Sequence, residues 1–217
     1  MTLAIFDLDN TLLAGDSDYL WGQFLVDKGA VDPVQYEQAN NLFYEQYKQG
    51  SLDIMEFLEF SLRPLAQHDM HQLTQWHTEF MSTKIDNILL PRAIKLIEKH
   101  RQSGDTLMII TATNRFVTQG IANKLGIDNL LATEPEIKEN QYTGKVSGTP
   151  CFQDGKVKRL KHWLKDHSCS LQDSWFYSDS HNDLPLLKLV THPVAVDADE
   201  KLTDYATEQQ WQCISLR

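Results

Sequence analysis

The chain has 217 residues, which is enough for one substantial domain or for a core domain with a smaller one. Its 41% hydrophobic and 23% charged residues exclude a largely disordered chain. A formal net charge of −10 repels polyanions, so we expect neither nucleic-acid binding nor binding to an anionic membrane. A small anionic substrate would then need a local positive site, most simply a metal ion and a lysine.

The N-terminal segment does not have the pattern of a signal peptide. Residues 2–6 are mostly apolar, but they are followed at once by Asp7 and Asp9 and lack a basic start. No segment reaches the roughly 20 apolar residues that cross a bilayer. We therefore expect a cytoplasmic protein.

Short apolar runs alternate with helical patterns along the chain. The runs predict strands at residues 2–6, 107–110, 175–177 and 194–196. This alternation indicates an α/β fold, a Rossmann-like parallel sheet with helices on both faces. In such a sheet, ligands bind at the carboxyl ends of the strands. The polar residues after each run are therefore candidates for one shared site.

The first two runs are separated by far more than the roughly 30 residues of one strand–helix–strand unit. Four helical patterns fill this interval, the first of them capped by Asp16 or Ser17. We expect an all-helical insertion over residues 15–88, with residues 1–14 and 89–217 forming the core.

Two further elements are predicted within the core. Pro91 opens a helix that turns Ile94 and Ile97 inward. A hairpin is expected over residues 134–146, with residues 141–144 lying between its two alternating runs.

Asp7 and Asp9 lie just past the first predicted strand. If the extended geometry continues, both carboxylates point to one side of the sheet. They would repel each other unless a cation or a proton separates them. Mg²⁺ favours such oxygen ligands, completed by water and substrate phosphate. The alternative is a solvated loop with acidic turn residues.

Asp179 and Asp183 follow the run at residues 175–177. Asp179 could complete the metal site, and Asp183 could be a further ligand or hold a nearby lysine. The alternative is that Asp179 or Ser180 caps the next helix, which does not exclude ligation.

A hydroxyl and a lysine complete the set. Thr111 directly follows residues 107–110, where it could bind phosphate oxygens beside a helix start, or simply cap that helix. Lys156 falls in the first turn of a predicted helix, where a cation opposes the helix dipole. That local cost favours a role for Lys156 beyond solubility.

The order DxDxT, Thr, Lys, Asp…Asp resembles that of the haloacid dehalogenase superfamily. The helical insertion looks like the cap of its phosphoserine-phosphatase-like branch. The strings at residues 15–18, 110–116 and 177–183 are similar to those of a proteobacterial subgroup of that branch. Some members of this subgroup are taken to be histidinol-phosphate phosphatases.

The resemblance implies a Mg²⁺-dependent phosphatase that acts on a small phosphate ester through an aspartyl-phosphate. Asp7 would be the nucleophile, and Asp9 the general acid and base. Thr111 and Lys156 would bind the phosphoryl oxygens. The metal would be held by four residues, which are Asp7, Asp9, Asp179 and Asp183.

The same resemblance places four residues at the substrate, which are Asp16, Asp18, Asn114 and Asn182. Two acids beside a phosphate favour an amine-bearing ester, with histidinol phosphate preferred and phosphoserine as the alternative. Arg63 could meet the carboxylate of phosphoserine or simply end a helix, and Trp21 could stack on an imidazole or lie in the core.

Other activities stay open. A phosphotransferase would use the same residues, and a non-catalytic phosphate-binding protein would keep the acids, a hydroxyl and a lysine. The sequence leaves the oligomeric state undetermined.

Overall fold

The structure is a computed structural model in which residues 2–217 are described. Its centre is a seven-stranded sheet in the order β4-β3-β2-β1-β5-β6-β7, in which every neighbouring pair is parallel except β3 and β4. The strands are Leu3–Phe6 (β1), Thr106–Asn114 (β2), Asn129–Lys138 (β3), Gln141–Ser147 (β4), Trp175–Ser178 (β5), His192–Val196 (β6) and Gln212–Ile214 (β7). The central position of β1 places whatever follows Phe6 in the middle of the sheet edge.

Nine α-helices are present among residues 2–217, with a π-helical segment at Met81–Ile85 and a 3₁₀ turn at His181–Asp183. The α-helices are Ser17–Asp27 (α1), Pro33–Gln49 (α2), Ile54–Ala66 (α3), Met70–Phe80 (α4), Pro91–Gln102 (α5), Arg115–Leu125 (α6), Asp154–Asp166 (α7), Leu184–Leu187 (α8) and Glu200–Glu208 (α9). None of them is both long and apolar enough to cross a membrane.

The residues of β1 alternate between two hydrophobic cores, one on each face of the sheet. Phe6 lies in the core that α5 and α6 cover, whereas Ile5 lies in the core that α7, α8 and α9 cover. Fully burying a large apolar side chain contributes about 1.5–3 kcal/mol, so this alternation fixes the register of the strand. The expected α/β sheet with helices on both faces is confirmed.

Helices α1 to α4 are inserted between β1 and β2, within residues 15–88. Their apolar sides join the core on the Phe6 face. Each of the four begins after an aspartate whose carboxylate accepts a main-chain N–H of the first turn. These aspartates are Asp16, Asp32, Asp53 and Asp69. The boundary between core and insertion stays a prediction.

Strand β2 is longer than its apolar run predicts. It continues to Asn114, so that Thr111 lies inside the strand rather than at a helix start. The pairing with β1 ends at Ile109, but β3 pairs with β2 as far as Ile110 and again at Asn114, after an irregularity in the register, so the polar residues between them belong to the strand.

Two other expectations differ from the structure, and one strand was not predicted. The hairpin turns at Glu139 and Asn140, whose φ angles of 49° and 60° are those of a tight left-handed turn, and residues 141–144 lie in β4. Ile94 is 48% exposed rather than inward, because α5 presents Ala93 and Ile97 to the sheet. The short strand β7 has no strong apolar run to predict it.

Candidate active site

Asp7 stands at the carboxyl end of the central strand. Its main-chain N–H donates to the carbonyl of Tyr177 in β5 at 2.9 Å, so the parallel pairing of β1 and β5 positions its side chain. The residue is 4% exposed. Lys156 donates from Nζ to Oδ1 of Asp7 at 2.7 Å.

Lys156 projects from the first turn of α7 into the same site and is 3% exposed. Its Nζ also donates to Asp183 at 2.7 Å, and Asp183 in turn accepts the hydroxyl of Ser178 at 2.7 Å. Burial alone would lower the pKa of Lys156, but the carboxylates of Asp183 and Asp7 outweigh it and raise that pKa. Asp183 therefore holds the lysine, which is one of the two roles expected for it.

Asp9 is held by donors on both of its carboxylate oxygens. The main-chain N–H of Ser17 donates to Oδ1 at 2.6 Å, and the hydroxyl of Thr113 donates to Oδ2 at 2.8 Å. Thr111 lies 3.4 Å from the same Oδ2. Burial, reinforced by the charge of Asp16, raises the pKa of Asp9 to about 6. A carboxyl group of this pKa can carry a proton near neutral pH and give it up again.

Asp179 follows β5 and accepts the hydroxyl of Thr11 at 3.1 Å. Burial and then the charges of Asp7 and Asp183 raise the pKa of Asp179 well above its usual range. Burial likewise raises the pKa of Asp7 to about 7, although Lys156 opposes the shift. Asp7 directly follows β1 and Asp179 directly follows β5, and these two strands are paired, so both carboxylates lie at the same edge of the sheet, as the sequence predicts.

The donor set fits a hard cation that keeps several waters. Within residues 2–217, no group of three or more His, Cys, Asp or Glu side chains is arranged so that it could hold a metal ion. Mg²⁺ is usually bound by one or two carboxylates, with waters and phosphate oxygens supplying the remaining ligands. Asp7 and Asp179 could supply such a pair. Burial is the main cause of both raised pKa values, with nearby carboxylates adding to it, and a divalent cation would favour the ionised form of both groups.

A cavity of about 60 Å³ lies between these residues and the helical insertion. Asp16 and Asp18 line it on the insertion side, and burial raises the pKa of both carboxyl groups. Lys156 is the one Lys or Arg among the lining residues that the structure describes. The apolar and aromatic lining comes mainly from Tyr19, Phe43, Tyr44, Tyr47, Leu52, Ile54, Phe57 and Phe152.

Several predicted residues have other surroundings. Asn114 is not among the cavity-lining residues, and its side chain caps α6 by accepting the N–H of Val117 at 3.2 Å. Arg63 is exposed and lines a separate groove beside β4. Trp21 is buried in the core among Phe24, Phe80 and Phe116.

The site also contains residues that the sequence did not single out. Thr113 binds Asp9, and Tyr47 closes the cavity from α2. The position of Thr113 could have been predicted, because side chains two residues apart on a strand lie on the same face, and Thr113 is two residues after Thr111. Tyr47 carries none, since its place depends on how the insertion folds back over the sheet.

Known proteins resemble this chain in both sequence and fold. A profile of the haloacid dehalogenase-like hydrolases matches residues 4–188. A histidinol-phosphatase of Neisseria meningitidis is 42% identical over 99% of both chains. A crystal structure of a Bordetella pertussis protein of unknown function is 43% identical, covers 100% of both chains and superposes with a TM-score of 0.94. A substrate-bound phosphoserine phosphatase shares the fold, with 19% identity, coverage of 98% of this chain and 92% of that one, and a TM-score of 0.70.

The chain belongs to the haloacid dehalogenase-like hydrolase family. The resemblance read from the motifs is confirmed, and so is the class of enzyme that it implies, a phosphatase of this family.

Proposed function

We propose that the chain is a Mg²⁺-dependent phosphomonoesterase that works through an aspartyl-phosphate at Asp7. The observation that carries this proposal is the buried Asp7–Lys156–Asp183 array beside Asp9, at the centre of the sheet edge. A lysine between two carboxylates holds the nucleophile and places a positive charge where phosphoryl oxygens must bind.

The reaction takes two displacements. An Asp7 oxygen forms a bond to phosphorus while the bond from phosphorus to the ester oxygen breaks, and Asp9 gives its proton to the departing oxygen. Asp9, now ionised, takes a proton from water, whose oxygen bonds to phosphorus as the Asp7–phosphorus bond breaks. Thr111 and Lys156 bind phosphoryl oxygens throughout, and the donors from Ser17 and Thr113 keep Asp9 oriented.

The carboxylates of Asp7 and Asp179 and the main-chain carbonyl of Asp9 would hold the Mg²⁺ ion, with Asp183 supporting the site through Lys156. When bound, the ion neutralises carboxylate–phosphate repulsion and stabilises the charge that develops on phosphorus.

Histidinol phosphate is the substrate that the cavity supports best. Asp16 and Asp18 lie beside the catalytic carboxylates, where they would bind an amine, and the aromatic lining suits an imidazole ring. Phosphoserine also carries a carboxylate, but Lys156 is the single Lys or Arg described in the cavity lining and is already engaged by two aspartates. The 42% identical histidinol-phosphatase supports the same choice.

The test is a steady-state assay of phosphate release from a panel that contains histidinol phosphate, phosphoserine and sugar phosphates. Histidinol phosphate should have the highest kcat/KM, and EDTA should remove activity that Mg²⁺ restores. Asp7→Asn should abolish turnover, while Asp204→Asn, a change of an exposed aspartate on α9, should not. Near-normal turnover by Asp7→Asn, free of deamidation, refutes the mechanism.

Release of phosphate without an added acceptor distinguishes hydrolysis from phosphotransfer. A cytoplasmic location, and the lack of nucleic-acid or membrane partners, stay predictions.

A further inference from the structure

The last turn of α2 lies against the core segment that carries Asp183. The side-chain amide of Asn182 donates to the carbonyl of Tyr47 at 3.0 Å, and Nζ of Lys201 donates to the carbonyl of Gln49 at 2.9 Å. The last carbonyls of a helix have no partner within the helix. Here two of these carbonyls accept hydrogen bonds from core side chains across the edge of the cavity, and that of Tyr47 also accepts the N–H of Gly50 at 3.0 Å.

Asn182 is held firmly for this contact. It is buried, and its Oδ1 accepts the amide of Gln153 at 2.9 Å. The next residue, Asp183, binds the catalytic Lys156. One short 3₁₀ turn therefore connects the helical insertion to the lysine that holds the nucleophile.

Gly50 allows the close approach at this point. Its φ angle is 78°, and a Cβ atom there would lie 2.7 Å from Nε2 of His181. The ring of His181 has little freedom to withdraw, because Nδ1 is bonded to Asp199 at 2.7 Å. Any larger residue at position 50 would push α2 away from the core.

We propose that these contacts form a latch that holds the helical insertion closed over the cavity. The latch consists of Tyr47, Gln49 and Gly50 on the insertion and of His181, Asn182 and Lys201 on the core. Asn182 is its positioning residue, because it connects closure to the Asp183–Lys156 pair. Losing one such hydrogen bond changes the closed-to-open ratio by up to about tenfold.

Two glycines supply a matched pair for the test. Gly50→Ala and Gly29→Ala place the same side chain at φ angles of 78° and 66°, but the Cβ at position 29 meets nothing within 4 Å. Amide hydrogen exchange of the free protein measures the latch without any turnover. We expect exchange over residues 47–52 to rise about tenfold in Gly50→Ala. Gly29→Ala should leave that region unchanged.

Variants on the core side test the same latch from a distance. Asn182→Ala and Lys201→Met should raise exchange over residues 47–52, whereas Lys161→Met, which changes an exposed lysine on α7, should not. Asn182→Ala should also raise KM for the best phosphate ester by up to about tenfold and lower kcat by less. The reason is that a smaller fraction of the variant is in the closed state that binds substrate.

The proposal is overturned if the core-side variants leave exchange over residues 47–52 as in the wild type, or if Gly29→Ala raises it as much as Gly50→Ala. A kcat loss in Asn182→Ala with unchanged KM and unchanged exchange would also refute the latch. The KM readout rests on the proposed phosphatase activity. Since exchange does not, failure of the latch and failure of the proposed function are distinguishable.

Discussion

Replacing Lys156 by methionine removes the positive charge between Asp7 and Asp183 and keeps most of the side-chain volume. Burial already raises the pKa of Asp7 to about 7 with the lysine present, so the variant should keep Asp7 protonated well above that pH. Its native state then holds one proton that the unfolded state releases. Stability should fall by about 1.4 kcal/mol per pH unit, or about 2.7 kcal/mol between pH 7 and pH 9.

The wild type should lack this added slope, because its Asp7 ionises at about pH 7 and the raised pKa of Lys156 keeps the lysine charged throughout. Slopes from other buried carboxyl groups, such as Asp179, are expected in both proteins and do not enter the comparison. At the upper end of the range, the difference should approach the roughly 3–5 kcal/mol that breaking a buried ion pair costs. Urea unfolding in metal-free buffer at pH 6, 7, 8 and 9, followed by tryptophan fluorescence, measures it.

Lys158→Met, on the exposed side of the same helix, is the matched control and should stay within about 0.5 kcal/mol of the wild type at every pH. A Lys156→Met penalty that is equal at pH 6 and pH 9, or below about 1 kcal/mol at pH 9, would refute the charge assignment.

Three further predictions concern residues around the site. Thr113→Ala should lower kcat about tenfold and move the pH–rate limb of Asp9 to higher pH, because the lost hydrogen bond stabilised the ionised carboxyl; Thr113→Ser should restore both, and an unmoved limb would contradict this. Gly120→Ala should destabilise the fold by about 1 kcal/mol relative to Gly15→Ala in thermal unfolding, because its Cβ would lie 2.5 Å from the His77 ring. Burial lowers the pKa of His77, so on acidification the histidine is protonated in the unfolded chain before it is protonated in the native state. The free energy of unfolding should therefore fall as the pH drops below about 6.5. His77→Gln should flatten that dependence in urea unfolding, and an unchanged slope would exclude His77 as its source.

The sequence predicts those parts of the site that strand ends bring together. Asp7, Thr111 and Asp179 each belong to, or directly follow, a strand of one parallel sheet, and this topology alone places them at a common edge. Lys156 is predictable from its unfavourable place at a helix start. The alternation of apolar runs with helical patterns also predicts a sheet covered by helices on both faces.

Strand ends and local spacing do not predict the contacts that depend on how the helical insertion folds over the sheet. Asn114 and Asn182 are both asparagines beside motif residues, and both were assigned to substrate from a resemblance. The structure gives Asn114 a helix start to cap, whereas Asn182 lines the cavity and bonds to α2. Nothing in local spacing distinguishes them, because the partner of Asn182 lies 135 residues away in the chain.

The charge of the site gives closure a physical reason. The ammonium group of Lys156 is bonded to Asp7 and Asp183, while Asp9 and Asp179 follow strand ends at the same edge of the sheet, and a phosphate ester adds more negative charge. In bulk water this repulsion would be largely screened, but so would the attraction of Lys156 for phosphoryl oxygens. Excluding water strengthens both the repulsion among the anions and the attraction of Lys156 for phosphoryl oxygens. The repulsion is then offset only if Asp9 keeps its proton and a divalent cation binds beside the carboxylates. A phosphate ester and Mg²⁺ should therefore each bind more tightly in the presence of the other. Isothermal titration of Asp7→Asn, for which we expect no turnover, would measure this coupling. Because the variant lacks the Asp7 carboxylate, the coupling that it retains would come from Asp179 and Asp183.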